Sequence, residues 1–203
     1  MEKQELFHIH KIEGNNKLWK VNKEIKIDEK FKNKMLKRYN SFTTMMNIED
    51  EENINIHDFL IGVLTSLENG GNIPKEALKE ILALAYQASF YGNMFKRETA
   101  LENYRKDNTQ FLPSRLHTIY LTDEKGIDYW IKALEADKYD LYRVEASGEI
   151  FKTNEQLIPD ERLSYIDAYE SAYNYWHPNF NKVPDNTNEY LVKGKIKVLE
   201  KIK

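Results

Sequence analysis

Segments in which apolar and polar residues alternate at period two stand near both ends of the chain and again in its second half, with segments of helical period between them. Such alternation makes a strand with one face in a core and one in water, which antiparallel sheets allow and parallel sheets rarely do. ELFHIHKI is the first, with Phe7, Ile9 and Lys11 on one face and Leu6, His8, His10 and Ile12 on the other. EGNNK reads as a turn, and LWKVNKEIKI resumes the alternation through Trp19, Val21, Ile25 and Ile27. LHTIYLT, YDLYRVEASGEIF and NEYLVKGKIKVLEKI are the later strands, the last bent or broken near Gly194. Helices are expected in HDFLIGVLTSLE, stopped by Gly70-Gly71, and from Pro74 to about Lys106, with Leu78, Ile81, Leu82 and Ala85 on one face. Two more are expected in DEKGIDYWIKAL and in PDERLSYIDAYESAYNYW, the latter turning Leu163, Ile166, Tyr169 or Glu170, Tyr173 and Trp176 to the core. The expected fold class is α+β.

The chain has 203 residues, the size of one domain or at most two small ones, and no repeat or linker divides it. One domain over residues 1–203 is the expectation. A hydrophobic fraction of 41% excludes a disordered chain. Thirty Lys and Arg against thirty-three Asp and Glu leave a charge of −3, so no global field draws nucleic acid. The absence of cysteine excludes disulfides, thiolate zinc sites and Cys nucleophiles. FLIGVL and ILALAY fall far short of the ~20 apolar residues of a membrane span, and MEKQELFHIH lacks a signal-peptide layout. A cytoplasmic protein with no membrane association is expected.

Conventional catalytic fingerprints are missing: no G-x-S-x-G elbow, no phosphate loop and no G-x-G-x-x-G turn. His8 and His10 point the same way from a strand, as two metal ligands would. His57, His117 and His177 stand at no diagnostic spacing from them, so a metal-dependent hydrolase is the weakest reading and no metal site is assigned. Lys17 to Arg38 holds nine basic and three acidic residues, with Trp19 and Phe31 among them and Tyr39 just beyond. Such a run is ordinarily a solvated face, and beside aromatics it is also how single strands are held.

Three segments in order carry a resemblance: LFHIH, TIYLTDEKGIDYW and NEYLVKG. They resemble the His-Tyr-Glu branch of the ADP-ribosyltransferase superfamily, represented by the poly(ADP-ribose) polymerases. There a first-strand histidine follows apolar residues, as His8 follows Leu6-Phe7. A later strand carries tyrosine between apolar residues, as in Ile119-Tyr120-Leu121, and a final strand carries glutamate, as Glu189 in NEYLV. Phe111 to the C-terminus also resembles an uncharacterised bacterial family of that superfamily. The family's histidine is commonly followed by Gly. Here Ile9-His10 follows, closer to the superfamily's bacterial DNA-modifying toxins, and His10 competes with His8 for the role.

The resemblance implies a split β-sandwich of two mostly antiparallel sheets, with residues of about 28–108 as a helical insertion. It implies NAD+ as substrate. Glu189 would hold the ribose 2′-hydroxyl and stabilise an oxocarbenium-like state, by the electrostatic logic of glycoside hydrolysis. His8 would hydrogen-bond the adenosine ribose, and Tyr120 would pack on nicotinamide. Tyr129 resembles the second aromatic of that sandwich, with Trp130 as its alternative. Arg115 would bind pyrophosphate or close a salt bridge, and His8, Tyr120, Tyr129, Arg115 and His10 form the expected NAD+-binding set. The activity implied is mono-ADP-ribosylation of a macromolecule, nucleic acid slightly ahead of protein, by a bacterial toxin or a phage–bacteria conflict effector. The rival is an inactive binding or inhibitor protein of the same fold.

Overall fold

The structure is a computed structural model that describes residues 3–12, 19–33, 39, 46–48, 51–54 and 56–203. The expected turn at residues 13–17 and the end of the basic block at residues 34–38 lie outside the described residues. Two units divide the chain: Met1–Asn33 with Ala100–Lys203, and Lys34–Thr99. The sequence offered no such division. The second unit falls inside the segment expected as an insertion.

The first unit is built on one antiparallel sheet of five strands: β1 (Lys3–Lys11), β2 (Glu24–Ile27), β5 (Ile119–Leu121), β6 (Tyr139–Asn154) and β7 (Asn188–Lys201). Their order is β1-β6-β7-β2, and β5 pairs with β7. β6 and β7 run side by side from Tyr142↔Lys201 to Asn154↔Asn188. The other edge of β7 takes Tyr120 opposite Leu191 and then Ile25 opposite Ile196. Two packed sheets were expected. The described residues of this unit hold one sheet, with an apolar core on one face and a helix over part of the other.

Cross-strand partners share a face. One face presents Leu6, Ile27, Tyr142, Val144, Ala146, Tyr190, Val192, Ile196 and Val198, and Trp19 packs with them. Of the strand expected over LWKVNKEIKI, the described residues form only Glu24–Ile27, because Trp19 turns into this core instead of continuing a ladder. The opposite face is polar along one half, where Glu145, Ser147 and Glu149 pair with Lys197, Lys195 and Lys193. Its other half, with Phe151 and Leu191, is covered by helix α4 (Tyr165–Trp176). Ser164 caps α4 by accepting from the Asp167 N–H at 3.1 Å. Its buried residues are Ala168, Ala172, Tyr175 and Trp176. The expected face is therefore corrected: Ile166 and Tyr173 are exposed. Two alanines let the helix axis come close to the sheet, which branched or aromatic residues at those positions would prevent.

The second unit contains β3 (Met46–Ile48) paired with β4 (Glu51–Ile54), helix α1 (Ile56–Glu68) and the first part of α2 (Lys75–Asn108). Gly70, at φ 83°, follows α1 as expected. Leu78 and Leu82, expected to be inward, are exposed, and Ile81 and Ala85 are half-buried. From Ala100 on, α2 belongs to the first unit, where Trp176 Nε1 donates to the Leu101 carbonyl at 2.9 Å. Helix α3 (Ile127–Ala133) follows a short 3-10 turn at Glu124–Gly126. Among the described residues, no helix is long and apolar enough to cross a membrane.

Candidate active site

Glu189 enters the site as the second residue of β7, opposite Thr153 of β6, on the sheet face that α4 covers. Arg115 arrives from a 3-10 turn over Arg115–His117. LHTIYLT was expected to be extended throughout. Ser114 instead accepts from the Leu116 N–H, closing the turn and leaving only Ile119–Leu121 as strand. That turn sends Arg115 inward. Its Nη1 donates to Glu189 Oε1 at 2.7 Å, and each side chain is 4% exposed.

Tyr175, from the last turn of α4, joins the same oxygen. Its hydroxyl donates to Glu189 Oε1 and accepts from Arg115 Nη1. Burial pushes the Tyr175 phenol well above its ordinary range; Arg115 opposes this, and Glu189 adds to it. The phenol therefore stays protonated, a donor to the carboxylate. Both hydrogen bonds fall on Oε1, and Oε2 accepts none from the described residues. The guanidinium carbon lies 5.1 Å from the Tyr120 ring centroid and 4.7 Å from that of Tyr175. Tyr120 OH donates to the Arg115 carbonyl at 3.0 Å. Of the two roles open to Arg115, the structure shows the salt bridge.

Tyr120 and Glu189 thus share a face and a common partner. The His8 side chain does not join them. His8 pairs with Tyr142 on the other face and stacks on Trp19 at 3.9 Å between ring centroids. Its Nδ1–H reaches only the backbone carbonyl of Tyr120, at 3.4 Å. Burial, opposed by that bond and aided by His10, lowers its pKa to about 3, so the ring is neutral. The His10 ring lies 5.8 Å from that of His8. Among the described residues, no group of three or more His, Asp or Glu is placed to hold a metal ion. Period-two alternation puts consecutive odd and even residues on opposite faces, but which of two strands' faces coincide depends on register.

Tyr129 OH donates to Glu155 Oε2 at 2.6 Å, and burial, reinforced by Glu155, pushes the phenol up to about 12. Trp130 Nε1 donates to the Asn188 carbonyl, next to Glu189, at 3.0 Å. The aromatics of the basic block do not face solvent together: Trp19 is buried and Phe31 packs half-buried on the core. Lys20, Lys23, Lys26, Lys30 and Lys32 are exposed. Sequence reasoning missed Tyr175. The Ala168/Ala172 spacing, which marks the helix face lying close to the sheet, was the available signal.

The fold and site define an α+β protein whose antiparallel sheet buries an Arg–Glu–Tyr cluster against a helix. The chain belongs to the family DUF2441, described as a protein of unknown function, whose model matches residues 6–203. No curated protein matches the sequence.

Proposed function

We propose that the protein transfers ADP-ribose from NAD+ to a macromolecular acceptor, with Glu189 as the catalytic carboxylate. The observation that carries the reading is the asymmetry of Glu189: Oε1 is fixed by Arg115 and Tyr175, and Oε2 accepts no hydrogen bond from the described residues. The ordered resemblance of LFHIH, TIYLTD and NEYLV supports it. In the reaction the C1′–N bond of the nicotinamide riboside breaks and its electron pair leaves with nicotinamide. An oxygen or nitrogen of the acceptor bonds C1′ and gives up its proton. Oε2 of Glu189 holds the ribose 2′-hydroxyl and faces the positive charge that develops on the ring. A fixed carboxylate needs no reorganisation as that charge appears. Tyr120 offers its ring to nicotinamide, and Tyr129 or Trp130 offers a second. His8 contributes through the Tyr120 backbone, since its ring is stacked on Trp19. The role proposed is that of a cytoplasmic bacterial toxin or conflict effector.

Nicotinamide release from NAD+, with and without cell extract, tests the assignment. Wild-type protein should release it, and Glu189→Gln should be slower by about 10²-fold or more. Equal rates would move the carboxylate elsewhere. For the acceptor we propose nucleic acid, supported by the exposed lysines of residues 20–32 and not by their aromatics. Lys20, Lys30 and Lys32 changed together to Glu should cut labelling of RNA or DNA. Label only in protein would name a protein target.

One observation favours the inactive rival: Arg115 and Glu189 are as buried as a purely structural pair. Folded protein that releases no nicotinamide at millimolar NAD+ would select that rival.

A further inference from the structure

We infer that Tyr175 is a positioning residue for Glu189, the fixed point of a closed frame that sets where Oε2 lies; this rests on the transferase reading above. The frame has three sides. The phenol donates to Glu189 Oε1. Glu189 is the cross-strand partner of Thr153. Thr153 Oγ1 donates to the backbone carbonyl of Tyr175 at 2.7 Å, which closes the circuit. Carboxylate, helix end and strand are thus tied to one another within a few bonds.

The direction of each hydrogen bond is forced. A guanidinium has donors only, so the phenol oxygen accepts from Arg115, and its single proton must go to the carboxylate. Arg115 alone would hold Oε1 at one point and let the carboxylate turn about that contact. Two donors converging on the same oxygen fix its orientation and so aim Oε2. Nothing lets the phenol drift: Tyr175 is fully buried, Ala168 and Ala172 seat its helix against the sheet, and the neighbouring Trp176 is tied to the Leu101 carbonyl. Misplacement of a reacting group by about 1 Å costs on the order of 10² in rate. A positioning group therefore acts on turnover, and leaves the binding of NAD+ largely as it was.

The test is steady-state nicotinamide release by the full chain, with kcat and KM for NAD+ separated and thermal melts run in parallel. Tyr175→Phe removes one oxygen and keeps the ring. It should lower kcat by about ten- to a hundredfold with KM within about twofold of wild type. Thr153→Val keeps shape and every charged partner and loses only the anchor, so it should show the same kcat-only signature in milder form. Tyr173→Phe, on the exposed side of α4, should change neither constant. Wild-type kcat in Tyr175→Phe overturns the inference, as does a loss that appears equally in KM and follows the melting temperature. If Tyr175→Phe fails to fold, Thr153→Val decides, and wild-type kcat there overturns the inference. A folded wild-type protein with no nicotinamide release overturns the transferase reading itself, an outcome distinct from an active wild type with an unaffected variant.

Discussion

A guanidinium sealed beside a carboxylate and a phenol cannot be removed without leaving a buried charge behind. Arg115→Met is therefore expected to cost about 3–5 kcal/mol in urea unfolding. Adding Glu189→Leu should recover most of that loss, since an apolar pair of similar volume is often as stable as the ion pair. A double variant as unstable as Arg115→Met would mean that Arg115 acts through contacts other than Glu189. His8 gives a pH prediction with a definite sign. Its folded pKa is about 3, below the unfolded 6.5, so the unfolded chain binds the extra proton first. Stability from this residue is complete above pH 6.5 and falls as pH drops, by about 2 kcal/mol at pH 5, levelling out below pH 3. His8→Phe keeps a ring against Trp19 and should flatten the decline of the denaturation midpoint between pH 6.5 and 4. An unchanged slope would assign that decline to other groups.

Among the elements, the β6–β7 pair carries the sharpest steric constraint. Gly148 and Gly194 face each other across the ladder at φ 122° and φ 150°. A Cβ on Gly194 would sit 2.1 Å from the Ser147 carbonyl oxygen, and one on Gly148 2.5 Å from that of Lys193. Backbone cannot yield as a side-chain tip can, so Gly194→Ala is expected to cost at least about 3 kcal/mol or to leave the protein insoluble. Melting by circular dichroism reads this, and a loss under about 1 kcal/mol would contradict it. Gly194 stood out in the sequence as a bend or break, whereas β7 runs unbroken through it; the facing Gly148 was not legible, because register is a long-range property. Strands β1, β6 and β7 were legible because each has one face in a core. α4 was legible as a helix and misread as a surface, since apolar periodicity weighs Ile166 and Tyr173 above Ala168 and Ala172. The site followed the same division. Glu189 and Tyr120 could be named from their strands, whereas the inward turn of Arg115 depends on Ser114 capping, and Tyr175 depends on the helix face.

At the scale of the molecule, protection should differ sharply between regions. Val144, Ala146, Leu191, Val192, Ile196 and Val198 are fully buried on paired strands, whereas Ile56 is the buried residue of α1. Hydrogen exchange should be slowest in the middle of β6 and β7 and fast along α1, by several orders of magnitude. Comparable rates would show that α1 is covered in solution. The placing of β7 has a kinetic side as well. It is the last strand of the sheet in chain order, yet it lies inside it, between β6 on one edge and β5 with β2 on the other. β1 and β6 can zip together beforehand, but the carboxylate, its cross-strand anchor and both core faces wait for Asn188–Lys201. At elongation speeds of roughly 5–20 residues per second, β1 has been out of the peptidyl-transfer centre for about 10–40 s when β7 is made. Throughout that interval the nascent chain holds an open strand edge and no assembled site, a natural substrate for ribosome-associated chaperones.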